Sequence, residues 1–516
     1  MVDTNSLLQR PFGARLQEND ETIARILEKN ADMQNRIVKM EDGRECRCYY
    51  FDGLADAAKV EEVIRSCVIY SRVIEEEQEG GPHASLTIDE LRSSLLTSSS
   101  VTIADTMAAG IGAMLCGDLL LVVDGLSRAL IANTRGWEQR GVEDPATESV
   151  VRGPRDGFTE SIRVNTALMR RRIRDPMLRI DALQIGERSR TDVNVAYIQG
   201  VVKEGLVAEV MQRLTRIRID AILESGYIEE LIEDSPMSPF ATVESTERPD
   251  KVASALLEGR VAIFVDNTPF VLIVPTFFWQ FLQASDDYYS RYWAGSFFRI
   301  VRYIAFIVSF TFPSIYVMLV SFHHEMIPTG LALTIASGKE IVPFPVLFEA
   351  LIMEIAFELM REAGLRMPKP IGQAVSIVGS LIIGQAAVQA GLVSPFMVIV
   401  VAVTGISSFA IPNYAASFSI RLIRFPLLLA SGWFGLLGFA TVFFLVVLHA
   451  LSIRSFGEPY LAPASPFRPS DQKDILFRLP WWSMDRQLSI AEQRYRVSPE
   501  TSPRLPKGEP DKDSRQ

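Results

Sequence analysis

The sequence predicts an α/β soluble N-terminal region of two subdomains, followed by an α-helical polytopic membrane domain of about five spans. Three observations carry that expectation. Charged and apolar residues are mixed up to about residue 290; apolar runs then recur at Arg299–Phe322, Gly372–Leu392, Pro395–Ile411 and Phe425–Leu451; and the residues after about 455 turn polar again. A membrane span needs roughly 20 mostly apolar residues at ~1.5 Å rise each, which these runs meet or nearly meet. A fifth segment, Pro343–Glu362, is apolar enough to enter a bilayer but carries Glu349, Glu354, Glu358 and Glu362. The divisions expected are 1–140 and 141–290 for the soluble subdomains, 291–455 for the membrane helices and 456–516 for a tail. From about 498 the tail is rich in Pro, Ser and charge, a composition expected to be disordered.

Composition narrows the function classes. A chain of 516 residues is too long for one compact core. The net charge of −10, with 52 basic against 62 acidic residues and no long basic block, argues against a nucleic-acid partner. The N-terminus lacks the charged-then-apolar pattern of a cleaved signal, so the soluble region is expected in the cytoplasm. Its four cysteines, Cys46, Cys48, Cys67 and Cys116, suit reduced thiols, and Cys46-x-Cys48 without a nearby His is not a zinc pattern. There is no phosphate-binding Gly-rich loop, no G-x-S-x-G and no His/Glu metal spacing, and His occurs only four times. The chain is therefore expected to be no enzyme and to need no cofactor or metal.

Along the soluble region, Glu45–Phe51 before Asp52-Gly53 and Asp118–Asp124 before Gly125 read as strands. Asn19–Lys29, Ala57–Tyr70 and Thr87–Leu96 read as helices, and Glu138–Pro154 as a link. After a turn forced by Pro154-Arg155-Asp156-Gly157, residues Phe158, Ile162, Met169 and Ile173 share a helical face. Glu160 is expected in the first turn and Arg170, Arg171, Arg172 and Arg174 near the end, as the helix dipole favours. Asp192–Ile198 alternates like a strand, Glu209–Leu223 is a helix, and Val261–Val265 with Phe270–Val274 flank a hairpin turn at Asp266-Asn267. Arg152, Arg155, Arg170, Arg171 and Arg172 are candidates for an interface or coupling role. A solvated helix terminus and contact with anionic lipid headgroups are the two readings of that arginine run.

Trp279, Tyr288, Tyr289, Tyr292 and Trp293, with Arg291, Arg299 and Arg302, form an aromatic belt with a positive flank before the first span. That puts the soluble region on the cytoplasmic side. Glu354, Glu358 and Glu362 are four apart, hence one helical stripe, and each carboxylate facing lipid costs roughly 2.5–3.5 kcal/mol. The helix either lies in the interface with its stripe in water or turns the stripe towards a protein-lined aqueous path. If it crosses, Arg361, Arg366, Lys369, Arg421 and Arg424 fall inside and His323, His324 and Lys339 outside, which favours five spans; that parity puts the tail opposite the soluble region, a side its mixed charge does not settle. Gly372, Ser376, Ser380 and Gly384 make a small-residue stripe suited to helix packing. Gln385, Gln389, Thr404, Ser407 and Ser408 add polar groups at membrane depth. Packing within the bundle explains any one of them; together with the glutamates they suggest a wet path or an oligomer seam.

These residues also carry a resemblance. Glu148-Ser149-Val150-Val151-Arg152-Gly153-Pro154-Arg155-Asp156-Gly157-Phe158-Thr159-Glu160, with Asn165 and Leu168, resembles the A subunits of GerA-type spore germinant receptors. So do Ser225-Gly226-Tyr227-Ile228-Glu229, Thr246-Glu247-Arg248-Pro249-Asp250-Lys251 and Leu257-Glu258-Gly259-Arg260-Val261-Ala262. In the membrane half Arg361-Glu362-Ala363-Gly364, Ser376-Ile377-Val378-Gly379, Ile383-Gly384-Gln385-Ala386-Ala387 and Ser455-Phe456-Gly457 continue it, in order, from about residue 40 to 485. Where that family is expected to have Asp-Gly-Thr-Pro-Phe, this chain has Asp266-Asn267-Thr268-Pro269-Phe270, and Asn also tolerates a left-handed turn.

The resemblance implies residence in the spore inner membrane, with the soluble region towards the spore core. It also implies partners: a transporter-like, nutrient-binding B subunit, a lipoprotein C subunit, further copies of the chain, and membrane lipids. It implies a nutrient-gated ion channel that triggers germination. The alternative is a non-conducting scaffold or signalling subunit that supports ion or dipicolinate release by partner proteins. The stage V sporulation AF proteins share this architecture.

Overall fold

The computed structural model describes residues 4–40, 44–77, 88, 100–136, 145, 148, 150–367, 384–468 and 471–484. They form two compact units. The first runs to Glu233 and resumes over Val243–Pro275; the second takes Asp234–Thr242 and everything described from Thr276 on.

The first unit is built on two antiparallel five-stranded sheets. Strands β1 (Met33–Lys39), β2 (Glu45–Phe51), β3 (Val101–Ala104), β4 (Leu119–Val123) and β5 (Ala129–Ala132) form one, in the order β1-β2-β4-β5-β3. Because side chains alternate across a strand, β2 and β4 feed two cores. Tyr49, Phe51, Leu120 and Val122 pack on one face with α1 (Leu16–Ile26) and, beyond α2 (Ala57–Glu77), with α3 (Met107–Met114). Cys46, Cys48, Leu119, Leu121 and Val123 pack on the other face with Val60, Val63 and Cys67 of α2. The Cys46-x-Cys48 pair is thus core. Its hydrogen bond with Cys48, followed by burial, pushes the Cys46 thiol well above its ordinary range. Burial holds Cys67 up at about 12.

The second sheet contains β6 (Leu178–Ile185), β7 (Thr191–Ile198), β8 (Glu244–Thr246), β9 (Val261–Val265) and β10 (Val271–Val274), in the order β6-β7-β9-β10-β8. It is flanked by α4 (Ile162–Arg172), α5 (Leu206–Arg216), α6 (Ser225–Ile232) and α7 (Pro249–Leu257). The strands expected at 45–51, 118–124, 192–198 and the hairpin at Asp266-Asn267 are present, with Asn267 at φ +68°. Two helix boundaries are corrected. Glu160 precedes α4 instead of opening it, because Asn165 Oδ1 accepts from Thr159 N at 2.8 Å and holds that stretch as a turn. The helix expected at 209–223 is α5, which ends at Arg216 where Ile217 turns extended. Thr87–Leu96 and most of the link 138–154 lie outside the described residues.

The second unit is helical: α8 (Tyr292–Phe322), α9 (Thr329–Lys339), α10 (Val346–Arg366), α11 (Pro395–Phe409) and α12 (Tyr414–Ser452). By length and composition α8 and α12 can cross a membrane, and α11 is apolar but short. The reading of Phe425–Leu451 as one uninterrupted span is corrected. Gly435 has φ +58° and ψ −135°, outside the helical region. Arg424 Nε donates to Ser309 O at 2.8 Å, while the Phe443 ring stacks on Phe310 at 6.2 Å. In a straight helix residues 424 and 443 would stand ~28 Å apart, so both cannot reach one turn of α8. The helix folds back on itself. At the reversal Leu436 N donates to His323 Nε2 at 3.3 Å, at the end of α8. A Cβ on Gly438 would lie 2.1 Å from Ala430 O, so the two arms touch backbone to backbone.

Contacts fix the directions of the other helices. Leu347 meets Gly432 near the reversal, and Glu358 meets Arg421, so α10 runs back towards the Tyr292 end of α8. In α11, Ser394 meets Glu349 and Ser408 meets Arg361, so it runs alongside α10 in the same sense. The second arm of α12 likewise returns to the Tyr292 end. There β11 (Arg454–Ser455) pairs with β12 (Glu458–Pro459). Further on, Asp474 accepts from buried Arg299 Nη1 at 2.9 Å and Ile475 O accepts from Tyr303 Oη at 2.8 Å. The described part of the tail, residues 471–484, therefore sits against the first turns of α8.

Candidate polar path in the helix bundle

On α10, Glu354 and Glu358 are one turn apart and face one side. Two arginines of α12, three apart and on the antiparallel first arm, meet them. Arg424 Nη1 lies 2.5 Å from Glu354 Oε2, both side chains buried, and Arg421 Nη1 lies 2.9 Å from Glu358 Oε2. Arg421 also donates to Ser417 O at 3.3 Å and covers the Phe418 ring. One turn on, Arg361 Nη2 donates to Ser408 Oγ at 2.6 Å and stands 4.3 Å over Phe409. Towards the other end Glu349 accepts from Ser394 N at 3.0 Å and lies 3.5 Å from Lys339 Nζ. The result is a ladder of opposite charges inside one copy of the chain.

The sequence readings of the stripe do not foresee these intrachain partners. In one copy of the chain Glu354 and Glu358 face the first arm of α12 and are paired there. Arg421 and Arg424, read as loop charges, are helical and inside the bundle. Glu362 is exposed and paired with Arg366 one turn on at 2.6 Å. The physical reason is that a charge left unpaired inside the bundle is expensive, so an opposite charge within hydrogen-bond reach is the less costly arrangement. Among the described residues, Glu354 Oε1 and Arg424 Nη2 are buried without a hydrogen-bond partner, so the ladder keeps unspent polar capacity.

The other candidates divide. Thr404 and Ser408 are buried and back-bond to Val400 O and Gly405 O, each at 2.7 Å, which satisfies them locally. Ser407 is half-buried, and Gln385 and Gln389 are exposed on this chain. A Cβ on Gly384 would meet only Val398 Cγ1, at 3.5 Å, whereas one on Gly405 would lie 2.4 Å from the Phe357 ring. Close helix approach is therefore made at Gly405, which the sequence reading did not single out. Gly372, Ser376 and Ser380 lie outside the described residues.

In the first unit the arginine run is not a solvated helix terminus throughout. Arg170 is 0% exposed. It pairs with Asp32 through Nε and Nη2 at 2.8 and 2.9 Å, and donates to Asn30 Oδ1 at 2.7 Å and Leu178 O at 2.9 Å. Its guanidinium also covers Phe51 at 4.5 Å. It thereby joins the residues before β1, the end of β2 and the start of β6, the two sheets of this unit. Arg172 pairs with Asp156 at 2.5 Å, while Arg152, Arg155 and Arg171 are exposed. Beside α4 a cavity of about 480 Å³ is lined by Asp56, Ser161, Arg163 and Arg171 among others. That volume lies in the range of small-molecule sites.

The fold defines a two-part class: a unit of two antiparallel sheets, and a helical unit with a buried charge ladder and two helices long and apolar enough to cross a membrane. The chain belongs to the GerA family, described as Bacillus/Clostridium GerA spore germination protein, which matches residues 21–490. It is 51% identical to spore germination protein KA of Bacillus subtilis (strain 168) over 72% of this chain and 69% of that protein. It is 38% identical to spore germination protein A1 of the same organism, over 96% of this chain and all of that protein (100%). A third B. subtilis relative, the uncharacterized membrane protein YfkQ, is 44% identical over 93% of this chain and 91% of its own length. Among solved structures, the N-terminal domain of the A subunit of the Bacillus megaterium spore germinant receptor GerK3 is 33% identical. That match covers 52% of this chain and 98% of the other, with a TM-score of 0.42.

Proposed function

We propose that this chain is the A subunit of a spore germinant receptor, acting in spore germination as a multi-pass protein of the spore inner membrane. In this reading several copies surround an ion path that nutrient opens, in a complex with a transporter-like B subunit and a lipoprotein C subunit. The observation that carries the proposal is the buried ladder Glu354–Arg424 and Glu358–Arg421. Charge is expensive at membrane depth and is kept there chiefly where ions or protons must pass. In the arrangement described the carboxylates are closed onto their own chain, which is a shut state. Since α12 returns to the end where α8 begins, we propose an even number of crossings, with the tail and the residues before Tyr292 on the cytoplasmic side.

Opening then has an energetic constraint. A ligand shifts a two-state equilibrium only by its differential affinity, typically about 1–3 kcal/mol of coupling. Separating one buried pair without replacement costs roughly 3–5 kcal/mol. Opening must therefore re-pair the carboxylates, with water or with another copy, instead of baring them. Planar-bilayer recordings of the purified protein, alone and with its partner subunits, test this: discrete conductance is expected, and Glu358→Gln should change its ion preference. Membranes that stay silent under every combination would leave the non-conducting scaffold, for which internal pairing is simply a means of anchoring. The cavity beside α4 favours a further role for the soluble unit, taking up a small polar solute between Asp56 and Arg163.

A further inference from the structure

Among the described residues the chain passes between its two units at three places: 233/234, 242/243 and 275/276. On the helical side of each passage a residue is held by one of two adjoining residues, Ser455 and Phe456, which follow α12 after Ile453 and Arg454. Ser455 is 0% exposed. Its Oγ donates to Thr242 O at 2.7 Å and accepts from Thr276 N at 3.0 Å. Phe456 N donates to Asp234 Oδ2 at 2.5 Å. Phe456 stands at φ +48° and Gly457 at φ +83°, the turn of the β11–β12 hairpin. A bulky residue in the left-handed region is kept only where its surroundings over-determine it.

The neighbourhood is built to the same plan. Phe278 N donates to Tyr460 O at 3.0 Å and Trp279 Nε1 to Leu461 O at 3.1 Å, which fastens the segment leading into α8 to the segment leaving α12. Ser238 Oγ lies 2.9 Å from His449 Nε2 in the last turn of α12, and the Phe240 ring meets Phe278 and Tyr460. The excursion Asp234–Thr242 is thus held at its first residue, its middle and its last. All of these contacts lie within the helical unit.

We propose that the Ser455–Phe456 turn is a transmission node. One hydroxyl and one amide fix the end of α12 to every passage by which the described chain enters or leaves the helical unit, so the three passages move with α12 or not at all. A buried hydroxyl with both donor and acceptor used has no spare rotamer, and losing it frees two backbone groups at once. The inference uses the reading of the bundle as a moving part only for its purpose; the mechanical linkage itself does not depend on ion flow.

The test is hydrogen exchange on the full chain in lipid nanodiscs, without nutrient. Ser455→Ala is expected to raise exchange about fivefold, the size expected for one lost hydrogen bond, at Glu244–Thr246 and at Thr276–Phe281 together, while β1–β5 stay unchanged. Asp234→Ala should raise exchange at Glu244–Thr246, and Asp234→Asn, which keeps an acceptor oxygen, should restore most of the protection. That pair of variants decides the matter if Ser455→Ala fails to fold. Increases confined to 453–460, or a rise at only one of the two segments in Ser455→Ala, would overturn the node. A linked rise in a protein that never conducts would leave the node standing and remove the channel reading.

Discussion

Arg424→Leu is expected to destabilise the full-length protein by roughly 3–5 kcal/mol, because it leaves Glu354 charged, buried and unpaired. Arg424→Leu combined with Glu354→Leu should recover most of that loss, since a well-packed apolar pair replaces a buried ion pair at little or no cost. Thermal unfolding of the four members of this cycle in detergent yields the coupling directly. Two independent losses that simply add would mean that the pairing is not what holds these helices together. The double variant also separates structure from function. A stable, assembled double-Leu protein whose spores no longer release ions on exposure to nutrient would assign the pair to gating. Ordinary release would make it a packing device.

Arg170→Leu is the second large effect. It strips the Asp32 carboxylate of two bonds, at 2.8 and 2.9 Å, and frees Asn30 Oδ1 and Leu178 O as well. The loss should again be roughly 3–5 kcal/mol. Arg170→Lys should rescue only part of it, because an ammonium cannot reproduce the planar fork that engages Asp32, Asn30 and Leu178 together. Denaturant unfolding followed by tryptophan-independent probes in the first unit, or limited proteolysis between its two sheets, measures the effect. Unchanged cleavage in Arg170→Leu would show that the remaining link, such as the 3.0 Å bond from Ala31 N to Ile180 O, suffices to join the sheets.

What the sequence disclosed follows from how local each signal is. Strands β2, β4, β7 and β9 are apolar runs closed by turn residues, and all were readable. Strand β1 (MQNRIVK) is mostly exposed, and β8 has three residues, so neither offers a pattern to read. The glutamate stripe was legible as costly, but its resolution was not, because the partners are 63 and 70 residues away. Arg421-x-x-Arg424 could have signalled it: two arginines on one helical face, complementary to two glutamates on another. The reversal at Gly435 leaves no polar trace, since a turn buried against Phe322 needs no hydrophilic residues.

The hairpin shape of α12 decides what an outside reagent can discriminate. The polypeptide's last described residues are delivered to the same face it set out from, beside Tyr288 and Ser290, to which Asp474 and Arg478 are bonded. In the membrane-spanning reading proposed above, a protease confined to one compartment is therefore expected to clip the stretch before α8 and the stretch after α12 alike, or to spare both.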